Sequence, residues 1–127
     1  MSLVCIVASL ALIEYLVFVV QCGQARGRFG VAAPATHGHT EFERYYRIQQ
    51  NTIEQLVVFL PALFLFAHFV DTLFAAILGM VFVLGRALYA RGYAIDPARR
   101  GPGFLLTIGS NVLLLLGGLV GAILACE

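Results

Sequence analysis

FERYYRIQQNTIEQLVVFLPALFLFAHFV, residues Phe42–Val70, changes character halfway along. Its first half carries Glu43, Arg44, Arg47, Gln49, Gln50, Asn51, Glu54 and Gln55, whereas its second half is almost pure hydrocarbon. An apolar run of about 20 residues crosses a hydrocarbon core of about 30 Å at about 1.5 Å per residue. The stretch therefore reads as a membrane helix with a polar mouth. Ionisable groups in a span are costly, about 2.5–3.5 kcal/mol each near its centre. Their presence calls for partners or a ligand.

The rest of the chain fits a bilayer. Of 127 residues 61% are hydrophobic and only 12% charged, far from the balance of a soluble domain. A single domain, 1–127, is expected, with spans at about 3–20, 46–70, 73–93 and 103–126. The N-terminus shows no basic region or cleavage site, so the first run reads as a retained span. The break QCGQARGRFGVAAPATHGHTEFER is long and rich in Gly, Pro and His and reads as a loop; VDT reads as a tight turn with Asp71 or Thr72 as cap. The fold class predicted is all-α, an antiparallel four-helix membrane bundle.

Arg26, Arg28, Arg44, Arg91, Arg99 and Arg100 flank the first and third breaks, and the second break has no basic residue. The positive-inside rule then places the arginine-bearing loops in the cytoplasm and both termini outside. The membrane expected is the inner membrane if the chain is bacterial and the endoplasmic reticulum if it is eukaryotic. A net charge of +1 gives no pull toward nucleic acid. Cys5, Cys22 and Cys126 have no metal spacing, and His37 and His39 lack further ligands, so no metal site is expected.

Arg47, Asn51 and Glu54 recur at i, i+4 and i+7, on one helical face over about 10 Å. Arg86, Tyr89 and Tyr93 recur at i, i+3 and i+7 on the third helix, toward the same membrane side. Polar groups in such bundles often only bond across helices, which suffices for Gln49 or Thr107 alone. The whole set exceeds it, because Arg47, Arg86 and Arg100 offer more donors than Glu54 can satisfy. An anionic ligand that also carries an amine, used with a lipophilic co-substrate, meets both demands. Glu14, deep in the first helix, reads as a carboxylate paired with Arg86 or kept neutral by desolvation.

EFERYYRIQQNTIE and RALYARGYAIDPARR together resemble the signature of the MAPEG family, the membrane-associated proteins in eicosanoid and glutathione metabolism. The resemblance runs from about Ala25 to Arg100. It implies a homotrimer, in membrane lipid, that binds glutathione as co-substrate between adjacent subunits. Arg47, Asn51 and Glu54 would then grip the glutathione peptide, Glu54 at its γ-glutamyl amine, with Tyr89 and Tyr93 lining the pocket and Arg86 near Glu54. Arg26, which has no evident partner in its own subunit, and Gln49 would reach in from the neighbour. Arg100 would face the sulfur as the catalytic residue. Gly27 and Gln55 depart from the family members that make cysteinyl leukotrienes, which carry arginine and tyrosine there.

The activity implied is a glutathione transferase or peroxidase acting on lipophilic electrophiles or lipid hydroperoxides. The alternative is a non-catalytic scaffold that binds lipid or glutathione. A transporter is disfavoured, since no internal repeat is visible.

Overall fold

The computed structural model describes residues 1–126. Four helices, α1 (Ser2–Phe29), α2 (Thr40–Phe69), α3 (Thr72–Ile95) and α4 (Gly101–Leu124), form an all-helical bundle. A 3₁₀ turn, Pro97–Arg100, joins the last two. All four helices are long and apolar enough to cross a membrane. Apolar side chains such as Leu16, Val57, Leu84, Leu105 and Leu124 point outward, as lipid-facing positions should. α2 and α3 form the middle of the bundle; each packs on the other and on both outer helices.

Two ends of the helices differ from the expected loop. Gln21–Phe29 continues α1 instead of leaving it. Gln, Ala and Arg favour helix, and no proline intervenes before Pro34. α1 stops at Gly30, whose φ of 69° suits a residue without a Cβ; its N–H donates to the Arg26 carbonyl. α2 likewise starts early, at Thr40. His39 caps it, its Nδ1 accepting from the Glu41 N–H at 3.2 Å, while its ring stacks on Phe29. Glu41 and Glu43 in the first turn suit the positive end of the helix dipole. The true connection between α1 and α2 is therefore short.

The α2–α3 turn is capped by Asp71, which accepts from the Phe74 N–H at 2.8 Å. At the far end of α3, Arg44 Nη1 donates to the Ile95 carbonyl at 3.1 Å, an arginine on the negative end of a helix. Phe59 and Phe82, both fully buried, stack at 3.8 Å in the centre of the core. Gly117 and Gly121, the GxxxG of α4, lie against Phe66 and Phe69 of α2 in the same chain.

Candidate functional site

One end of the bundle, where the α1–α2 and α3–α4 connections lie, holds a half-enclosed cleft of about 360 Å³. Arg47 and Asn51 come from α2, Tyr89 and Tyr93 from α3, Arg100 from the 3₁₀ turn and Phe104 from α4. Five of these six side chains belong to the two stripes and the arginine singled out in the sequence. Successive turns of α2 and α3 bring them there.

The cleft wall is held from behind. Gly103 lies so close to α3 that a Cβ there would collide with the Tyr89 backbone nitrogen. This close approach sets Phe104 and Arg100 against the tyrosines. Tyr89 and Tyr93 stack at 5.6 Å with 17° between their planes. Asp96 shapes the turn that carries Arg100, accepting from the Ala98 N–H at 3.0 Å. Asn51 Oδ1 is buried without a hydrogen-bond partner among the described residues, so the cleft, lined also by two guanidinium groups, offers an unmet acceptor. No carboxylate is among the lining residues. The chemistry is that of a receptor for a small anion bearing hydrogen-bond donors.

Arg86 is not on the cleft surface. It is completely buried and lies beneath Tyr89, its guanidinium 4.3 Å from the ring centroid. Nη2 donates to Thr52 Oγ1 at 2.8 Å, and Nη1 approaches Thr107 Oγ1 at 3.5 Å. The two hydroxyls in turn donate to the carbonyls of Ile48 and Gly103. Arg86 thereby ties α2, α3 and α4 together behind the site, and Thr107 serves as the interhelical contact expected of it. In this chain Arg86 reaches the cleft only through Tyr89.

The other expected residues fall outside the cleft. Glu54 is exposed and lines the next groove along α2. Gln49 is half-buried on α2, away from the lining. Arg26 corrects the expectation that it lacks a partner in its own subunit. Its Nη1 donates to the Ala35 carbonyl at 2.6 Å, and its guanidinium lies 4.8 Å from the Phe42 ring centroid. Extension of α1 past Val20 is what brings Arg26 over the returning chain. Glu14 lines a groove with Gln21, Tyr45 and Arg91 on the α1–α3 side. Val7 packs at Gly79, which sets Glu14 level with Arg86, seven residues on in each helix. The two are not hydrogen-bonded through Glu14 Oε1 or Arg86 Nε, both buried and without a partner among the described residues.

The MAPEG family profile matches residues 3–120. The chain belongs to the MAPEG family. An uncharacterised protein of Synechocystis is 48% identical over 91% of this chain and 84% of its own length. Microsomal glutathione S-transferase 2 of Homo sapiens is 39% identical over 82% of this chain and 71% of its own. Leukotriene C4 synthase of Bos taurus is 37% identical over 76% and 67%. With four apolar helices, this MAPEG protein is an integral, multi-pass membrane protein.

Sequence reading missed three residues of the MAPEG bundle that shape the site: Thr52, Phe104 and Arg44. Thr52 and Phe104 sit in runs whose composition marks them only as helix, and Arg44 ends the stretch expected as loop, which the structure makes helical from Thr40. Thr52 lies one residue past Asn51, on the face turned from the cleft toward Arg86.

Proposed function

We propose that the protein is a membrane-bound glutathione transferase, with peroxidase activity toward lipid hydroperoxides, that supplies glutathione as its thiolate. The observation that carries this reading is the convergence of Arg47, Asn51, Tyr89, Tyr93 and Arg100 on one cleft in a MAPEG chain. The names of relatives that are glutathione transferases support the same class of reaction.

Free thiols titrate near ~8.5, so little thiolate exists at neutral pH. A guanidinium at about 4 Å and an effective dielectric of about 20 stabilises the anion by up to about 4 kcal/mol. Arg100 does this without a general base, the thiol proton passing to water. The thiolate sulfur then bonds to the electrophilic carbon, and the leaving group departs with the electron pair of the bond it loses. With a hydroperoxide, two glutathione thiols become the disulfide while the peroxide becomes alcohol and water. Arg47 and Asn51 hold the peptide, and Tyr89 and Tyr93 form the wall beside it. Glu54, about one turn beyond Asn51, takes the γ-glutamyl amine at the cleft's edge. Arg26 and Gln49 act from the neighbouring subunit of a homotrimer, which requires Arg26 to leave Ala35 on assembly. The cleft faces the cytoplasm, with both termini on the other side.

The test is purified protein with glutathione and 1-chloro-2,4-dinitrobenzene, run beside a lipid hydroperoxide. Conjugate formation is expected. Glutathione binding without turnover of either substrate would favour the scaffold and overturn the enzyme. Native mass spectrometry in detergent should give a trimer; an active monomer would overturn the shared site.

A further inference from the structure

The α2–α4 seam continues past the cleft. Beyond Asn51 and Phe104 a narrower groove of about 200 Å³ runs between Glu54, Gln55 and Val58 of α2 and Ile108, Asn111 and Leu115 of α4. Most of its wall is hydrocarbon. Asn111 interrupts it near the middle of α4, where it is only 3% exposed.

Its Nδ2 donates to Gln55 Oε1 at 3.0 Å and approaches the Gln55 carbonyl at 3.4 Å. Its Oδ1 is buried and accepts nothing among the described residues. With Gln55 Oε1 engaged by Asn111, the Gln55 amide is left with its N–H donors. The pair thus leaves an unfilled acceptor on Asn111 and free donors on Gln55 within one apolar seam. A buried amide oxygen without a partner is unfavourable, and leucine would fill the position without that cost. The pair is matched by a group that donates and accepts at once. A hydroxyl does both; an ionised carboxylate, ketone or ester cannot donate, and an ammonium cannot accept.

We propose that Asn111 and Gln55 form a subsite for a hydroxyl carried on the acyl chain of the lipophilic co-substrate. The subsite rests on the reading of the cleft as the thiolate site. Arg100 and Asn111 are about 16 Å apart along the helix axis, so the hydroxyl recognised here is not at the reacting centre. The protein therefore selects lipids oxygenated at a second position.

The probes are stearate and its 7-, 9- and 12-hydroxy derivatives, titrated into the full chain in detergent micelles by calorimetry. One hydroxy isomer should bind about five- to tenfold more tightly than stearate, the size of one hydrogen bond. Asn111→Leu and Gln55→Leu should each abolish that margin. If Asn111→Leu does not fold, Gln55→Leu, at a half-buried position, decides. Equal binding of all four probes to the wild type, or a preference that survives Gln55→Leu, overturns the subsite. Glutathione titrated into the same preparation separates the two readings. Failure to bind glutathione overturns the transferase with any hydroxyl preference intact, and hydroxyl indifference beside normal glutathione binding overturns the subsite alone.

Discussion

Replacing Arg86 by methionine separates stability from site geometry. The substitution removes the 2.8 Å bond to Thr52, worth about 1.5–3 kcal/mol for a charged donor. It also removes the stacking under Tyr89, worth about 2 kcal/mol in a desolvated setting. The 3.5 Å approach to Thr107 adds little. Against these losses, a charge leaves the membrane interior, a gain of about 2.5–3.5 kcal/mol. Thr52 and Thr107 keep their own acceptors, Ile48 and Gly103, so no hydroxyl proton is orphaned. The net loss is about 0–2.5 kcal/mol, a fall in melting temperature of less than about 10 °C at about 4 °C per kcal/mol. Glutathione affinity should suffer more visibly. Tyr89 loses the group that holds it against the cleft, and a single misplaced hydrogen bond lowers affinity about tenfold. Thermal unfolding in detergent and calorimetry with glutathione measure the two effects. Arg86→Lys keeps the charge without the planar fork and should restore little of the affinity. Loss of folding in Arg86→Met would refute the small net loss worked out above, and unchanged glutathione affinity in the folded variant would show that Arg86 does not act through Tyr89.

Arg100→Ala should lower kcat about 100-fold or more, as loss of a group stabilising developing charge does, while glutathione affinity stays within a few-fold. Ultraviolet titration of bound glutathione should move the thiol midpoint toward about 8.5; a fixed midpoint, or greater damage from Arg99→Ala, refutes the role. Glu54→Gln should weaken glutathione binding about tenfold, since a hydrogen bond to a charged group is lost and no carboxylate lines the cleft to replace it; calorimetry checks it. Gly103→Ala should destabilise the bundle by about 1–3 kcal/mol through overpacking against Tyr89, read as a lower melting temperature.

How far the site was legible depends on what each residue contacts. The apolar runs announced four helices because bilayer thickness imposes a length on them. The i, i+4 spacing placed Arg47 and Asn51 on one face, and the structure puts both in the cleft with Tyr89, Tyr93 and Arg100. The same spacing continued to Glu54, yet helical phase says only which way a side chain points. How far a cleft extends is set by the facing helix. Here α4 changes the lining from Phe104 to Ile108 and Asn111, so Glu54 opens onto another groove. Arg86 shares a periodicity with Tyr89 and Tyr93 but is turned inward. Its acceptors, Thr52 and Thr107, lie 34 and 21 residues away, and nothing local to either threonine points to an arginine as its partner. Arg26 failed for the opposite reason. Its acceptor, Ala35, is only nine residues on, but a backbone carbonyl leaves no mark in a sequence. Charged side chains in a membrane chain can thus be singled out as candidates from their cost alone. Whether each one faces a ligand or holds the wall behind it depends on partners that are small, neutral and distant along the chain.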